Sequence, residues 1–420
     1  MNRRYFLRLC GKTLAALGFA HLLPVQAAAA SGTAIRTPRQ IITKDIARSR
    51  TILWDAPELP ATARVELRRG DAVRSFDAAY EWLDLPGGEG LYHYHTTVGD
   101  LTPHTSYAYR IRMDMEQTDW LPLTTEAGDD APFSALIYAD SQCSDFSILQ
   151  NFLDVTMQRH PSAAFFAIDG DLVDNGELAS YWTNFLDVLS PYASRTPFAP
   201  VMGNHECYGA DWNNTLPKGY CSAFAVPENG STRFPRYYYS FDCGAAHFIV
   251  LNTQFQELDG LRPGLHAEQL VWLKADCRAS QKTWKIVLMH KDVLAYDEWQ
   301  PGTGHDGGIS DVGNAFMAAF DALGIDLVLT GHMHTYRNRG HIFAKKPANH
   351  GPFYIMSGPA GDQRYHVPPD TMYDRHAMRQ DNASDFRNYL VLDVDSRKLA
   401  VTCRQENGTI IDRVNLEQSR

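Results

Sequence analysis

Residues 164–171 read Ala-Phe-Phe-Ala-Ile-Asp-Gly-Asp. Five apolar residues run straight into Gly170 set between Asp169 and Asp171. A run this short and this apolar reads as a strand buried on both faces, with the polar cluster where it ends. The chain repeats this pattern four more times. Residues 135–139 lead to Asp140-Ser141-Gln142, 198–202 to Gly203-Asn204-His205-Glu206, 285–289 to His290, and 325–330 to Gly331-His332-Met333-His334. Strands of one sheet finish at one edge, so the five clusters are expected to meet there. Helical spacing at 147–157, 178–189, 266–278 and 311–323 alternates with the strands. The alternation predicts βαβ units and a layered α/β domain over residues 132–418, with helices outside.

The flanks read differently. Residues 35–125 predict a small all-β domain, with strands at 51–54, 63–68 and 92–97 and Trp54 in its core. Gly128-Asp129-Asp130 marks the linker. Residues 237–241 and 247–252 predict a hairpin. The tail, at 389–394, 399–404 and 410–414, predicts an antiparallel meander at the sheet edge.

With 420 residues, 44% apolar and 21% charged, the chain can bury a sizeable core. Its formal charge of −10 argues against nonspecific nucleic-acid binding. The N-terminus joins Arg3-Arg4-Tyr5-Phe6-Leu7-Arg8 to an apolar stretch, 14–23, and then to Ala27–Ala30. This predicts an export signal over residues 1–30, twin-arginine in type, with an ordinary secretory signal or an uncleaved anchor as the alternatives. Export machinery is then a partner. The mature protein is expected to be periplasmic or secreted, without a membrane anchor once the signal is cleaved. Cys10 leaves with the signal and six cysteines remain. Cys207 with Cys221 is the favoured disulfide, since both fall in one Gly-rich loop.

The clusters hold the donors of a metal site. Asp171 has two oxygens and could bridge two cations. Asn204 offers a neutral oxygen. His332 and His334, two apart, face the same way in extended chain. Imidazole and carboxylate together suit zinc, iron or manganese.

In this order the clusters resemble those of the calcineurin-like metallophosphoesterases. With the all-β front domain and the continuation Thr335-Tyr336-Arg337, they look most like the purple acid phosphatase branch. That front domain, with its segment Leu101-Thr102-Pro103-His104-Thr105-Ser106-Tyr107, resembles a fibronectin type III sandwich. The resemblance implies a β-sandwich metallophosphoesterase domain with two divalent or trivalent metal ions. The first takes Asp140, Asp171 and His334, the second Asp171, Asn204, His290 and His332. It implies phosphate-ester hydrolysis by in-line attack of a bridging hydroxide, small-molecule monoesters being favoured, with Asp171 and His205 catalytic. His205 matches the residue that contacts phosphate and protonates the leaving group. Diester or nucleotide hydrolysis at the same site, and a non-catalytic metal or phosphate binder, remain as alternatives.

Two departures matter. Asp174 stands where the purple enzymes carry a tyrosine ligand, so no purple colour is expected. Gln142 stands where many relatives carry histidine. It is either a weak amide ligand at the first site or a neighbour of the ligands, and the first site should favour a harder ion than zinc. Tyr336, Arg337 and His305 are the further candidates for holding substrate oxygens.

Overall fold

The computed structural model describes residues 34–295, 308–365, 370, 372–377 and 387–418. Phe133–Tyr138, Phe166–Asp169 and Phe198–Val201 lie side by side as parallel strands. On one side the meander Asn388–Val394, Lys398–Gln405 and Ile410–Glu417 extends their sheet antiparallel. On the other side Arg36–Ile41 pairs parallel with Phe198–Val201, and Arg50–Ala56, Leu91–Val98 and Ala79–Leu83 continue outward. The result is a sheet of ten strands. A second sheet is built on Tyr239–Cys243, Ala246–Leu251, Trp284–Met289, Leu327–Thr330 and Phe353–Met356.

Alternation along the second sheet explains the layering. Phe248, Val250, Ile286, Leu288, Leu327 and Leu329 pack into the core shared with the first sheet. Their neighbours Ile249, Leu251, Val287, Met289 and Val328 face away, onto the helices Leu265–Ala279 and Asp311–Leu323. Successive side chains of a strand point to opposite faces, so a run that is apolar throughout needs cover on both. Phe165 meets Phe241 and Phe248 across the shared core, with ring centroids 5.2 and 5.0 Å apart. The helices Phe146–Arg159 and Ala179–Ala193 cover the first sheet; Tyr138 and Thr156 hydroxyls bond at 2.8 Å beneath one of them. The architecture is two sheets face to face with helices outside.

One expectation needs correction. The five clusters do not end strands of a single sheet. Asp140, Asp171 and Asn204 follow strands of the ten-stranded sheet, whereas His290 and His332 follow strands of the other. Convergence arises because parallel strands of both sheets finish at one rim.

At the front, Trp54 stacks on Tyr94 at 5.3 Å inside a separate apolar cluster. Tyr107 Oη accepts the Thr102 N–H at 2.9 Å. The Cys207–Cys221 bridge is absent, and the six described cysteines are unbridged. Cys207 is buried under its own turn, its thiol 3.8 Å from Gly203 O and 3.9 Å from Met202 Sδ.

Candidate metal centre

The site is made by turns that lock onto one another. Asp140 N–H donates to Gly170 O at 3.1 Å, Gln142 N–H to Asp171 O at 3.0 Å, and Gly331 N–H to His290 O at 2.9 Å. The buried Glu206 carboxylate accepts from Gly203 N at 2.7 Å, Asp171 N at 3.1 Å, Leu172 N at 2.8 Å and Val173 N at 3.2 Å. It therefore ties the Asn204 turn to the Asp171 turn. Gly203 allows their contact: a Cβ there would lie 2.2 Å from Asp171 N and Oδ1.

Two donor groups result. Asp171, His290 and His332 offer ligand atoms within 4.8 Å of one another, and so do Asp140, Asp171 and His334. Asp171 belongs to both. In the first group, His290 Nδ1 donates to Asp169 O at 2.8 Å, which turns Nε2 inward. That nitrogen lies 3.0 Å from Asp171 Oδ2, 3.1 Å from Asn204 Oδ1 and 3.1 Å from His332 Nδ1. In the second, His334 Nδ1 donates to Gln363 O at 2.9 Å and Nε2 faces Asp140 Oδ1 at 3.9 Å. Gln142 Nε2 stands 3.2 Å from His334 Nε2, while its Oε1 is buried and unpartnered. A half-turn of that amide puts a neutral oxygen into the cluster instead.

These donors fit metal ions. Two imidazole nitrogens, an amide oxygen and a carboxylate oxygen converge on one spot. Asp140 Oδ2 is buried without a partner. Burial pushes the Asp140 carboxyl up to about 8, with Asp171 adding repulsion. Burial also lowers His332 well below the usual imidazole range and His334 to about 4, so both rings are neutral donors. His290 goes the other way: burial would lower it, but Asp171 and Asp140 raise it to about 9. At Asp171 burial is outweighed by His290 and His205, which hold its carboxyl well below the ordinary range. A cluster of buried acceptors with opposed titrations is what a cation relieves.

His205 sits at the edge of the pair. Its N–H donates to Asp171 Oδ1 at 2.9 Å, and its Nδ1 to Asp174 O at 2.7 Å, leaving Nε2 3.8 Å from Asp171 Oδ2. Burial would lower this ring, but Asp171 and Asp174 raise it. Asp174 also accepts from Gln363 Nε2 at 3.1 Å, so it braces loops.

Two substrate candidates belong elsewhere. Tyr336 is buried and its hydroxyl donates to Asp412 at 2.8 Å. Arg337 is buried, bonding Thr335 Oγ1 at 3.0 Å and Tyr336 O at 2.9 Å and facing Asp374 at 3.6 Å. Both are committed to the interior, as the strand Arg337–Phe343 starts there. His305 lies outside the described residues. Sequence reasoning missed the segment 358–365. A Cβ on Gly358 would come 2.4 Å from Asp140 Oδ2. Gln363 orients His334, and the Tyr365 ring stacks on His334 at 4.2 Å. Gly358-Pro359-Ala360-Gly361 after an apolar run was the available signal.

Residues 133–336 match the family model of the calcineurin-like phosphoesterases, so the chain carries a calcineurin-like phosphoesterase domain. It is similar to the purple acid phosphatases. Purple acid phosphatase 21 of Arabidopsis thaliana is 26% identical over 276 residues, covering 64% of this chain and 58% of that one. An uncharacterized protein of Mycobacterium tuberculosis is 30% identical over 316 residues, covering 67% and 54%. The chain thus spans little more than half the length of these relatives. A purple acid phosphatase from yellow lupin seeds superposes with a TM-score of 0.70 at 16% identity, over 91% of this chain and 74% of that one. PhoD superposes at 0.63 with 12% identity, over 90% and 91%. Such identities show the fold.

Proposed function

We propose that this chain hydrolyses phosphate monoesters at a two-metal centre held by Asp140, Gln142, Asp171 and His334 on one side and by Asp171, Asn204, His290 and His332 on the other. The observation that carries this reading is Asp171, shared by two donor groups that are each compact enough for one ion. When bound, two such ions supply an activated water nucleophile and Lewis-acid relief of the charge that develops on phosphorus. The protein's own contribution is position and proton supply. The Asp169 carbonyl and the Gln363 carbonyl fix the tautomers of His290 and His334. Asp174 fixes His205 so that Nε2 faces the site. A ring whose proton affinity is raised donates to the departing alcohol oxygen. Residues 1–30, read as an export signal, put this activity outside the cytoplasm. Among the described residues no helix is long and apolar enough to cross a membrane.

The test is phosphate release from a panel of monoesters, with bis(4-nitrophenyl) phosphate as the diester. Protein stripped with a chelator should be inactive and regain activity with manganese, iron or zinc. Asp171→Asn should bind metal more weakly in calorimetry and lose at least about 10³-fold in kcat. Full activity in chelator-stripped, metal-free protein would reject the reading; faster diester than monoester turnover would correct the substrate class.

A further inference from the structure

Aromatic rings crowd the His205 side of the site, and the proposed hydrolysis does not use them. The Trp212 ring centroid lies 6.0 Å from that of His205, with the planes at 88°. Tyr208 lies 5.6 Å from His205 and 6.1 Å from Trp212. Neither ring belongs to an apolar core cluster, and both are only half-buried. Core packing therefore does not explain them.

Trp212 is also held there against its backbone preference. Its φ is 63°, in the left-handed region that bulky residues rarely enter. A tight turn imposes this: Trp212 N–H donates to Gly209 O at 2.8 Å and Gly209 N–H to Asn213 O at 2.8 Å. Ala210 N–H adds a bond to Glu177 Oε2 at 2.8 Å. Asn175 Nδ2, from the loop of Asp171, donates to Gly209 O at 2.7 Å. Strain held in place by so many bonds, beside a reactive group, points to use of the ring.

We propose that Trp212 and Tyr208 form an aromatic wall for the leaving group, so that the preferred substrates are phosphomonoesters whose alcohol carries a flat aromatic ring. The inference rests on the hydrolase reading and deepens it. His205 Nε2 lies 3.8 Å from the shared Asp171 carboxylate, so a leaving group on the His205 side of the site lies against the wall. An indole face rewards a flat ring with stacking area that a narrow alkyl chain cannot match. Arenes and nucleobases share this chemistry.

The experiment compares 2-phenylethyl phosphate with butyl phosphate on the metal-loaded protein. Both release a primary alcohol, so the chemistry of departure is matched and the ring alone differs. The native protein should favour the phenylethyl ester roughly tenfold in kcat/KM, a difference of about 1.4 kcal/mol. Trp212→Ala should bring that ratio to within about twofold of one, and Trp212→Phe should keep most of it. AMP against ribose 5-phosphate extends the comparison: a comparable preference assigns nucleobases to the wall, and a preference confined to the phenylethyl ester assigns smaller arenes. Equal kcat/KM for the matched pair in the native protein overturns the proposal. So does a Trp212→Ala variant that slows both esters by one factor, which makes the ring merely structural. If neither ester is hydrolysed, the hydrolase reading itself fails. Calorimetry with 2-phenylethylphosphonate and butylphosphonate then decides the wall alone, equal affinities counting against it.

Discussion

Asp140, Asp171, His332 and His334 all have positive φ, between 51° and 77°. Non-glycine residues seldom adopt that region, and each such residue costs on the order of 1 kcal/mol. Four of them on candidate metal ligands mean that stability has been given up to aim donors inward. The same turns leave little room. Gly203→Ala would press a methyl group onto the Asp171 backbone and carboxylate, so the two turns must part. We expect it to lower stability by about 1–3 kcal/mol and to weaken metal binding at least tenfold, read by thermal unfolding and by calorimetric titration. Tyr336 behaves differently. Tyr336→Phe removes a bond to Asp412, which is not among the donors. It should cost about 1 kcal/mol in unfolding free energy and leave kcat/KM within about twofold. A larger loss in activity than in stability would return Tyr336 to the substrate. The donors themselves were legible, because carboxylates and imidazoles at strand ends announce chemistry. Tyr336 and Arg337 were not, because adjacency in sequence does not say to which side of a strand start a residue turns. The left-handed backbone was not legible either: aspartate and histidine enter that region more readily than most residues, but the great majority of both do not.

Most strands and helices could be read from apolar runs and helical spacing, since those patterns report burial directly. The division of the parallel strands between two sheets could not, because an apolar run is the same whichever sheet receives it. Polar links between elements were equally hidden. His247, on the strand Ala246–Leu251, reaches Asp242 at 2.6 Å on the neighbouring strand and Asp276 at 2.9 Å on the helix Leu265–Ala279. Burial disfavours its charge, but these two bonds prevail and raise the ring to about 9. An ordinary histidine titrates near 6.5. The folded state thus holds the proton more tightly than the unfolded one. The resulting stability is fully present below about pH 6.5 and is lost as pH rises through about 9. With Asp242 about a third exposed, the screened contribution is about 2 kcal/mol. Urea unfolding of the native protein should therefore weaken between pH 7 and pH 10, and His247→Gln should remove that component of the slope. An unchanged slope in the variant would assign the pH dependence to other groups.

At the scale of the molecule, the front β-strands are part of the scaffold that carries the site. The strand Arg36–Ile41 continues the sheet beside Phe198–Val201, the strand that leads into Asn204. Gln40 Nε2 and Tyr109 Oη both donate to Ser194 O at 2.9 Å, and Ala179 N–H donates to Pro86 O at 3.0 Å. Arg39 is fully buried, paired with Asp55 at 2.9 Å and bonded to Ala223 O at 3.0 Å. Arg236 crosses the same joint to Glu81 at 2.6 Å. Removing these strands would open a sheet edge beside Asn204 and strip the carbonyls of Ser194 and Ala223 of their donors. An exposed edge pairs with other chains, and buried groups without partners each cost about 1–3 kcal/mol. A chain cut to residues 126–420 should consequently aggregate or melt without a cooperative transition, even though it keeps every proposed metal donor. Size-exclusion chromatography reads the first outcome, thermal unfolding followed by circular dichroism reads the second, and phosphate release reports on the site. A monomeric, cooperatively folding 126–420 fragment with native kcat/KM would show that the rim holds its shape without the four front strands of the first sheet.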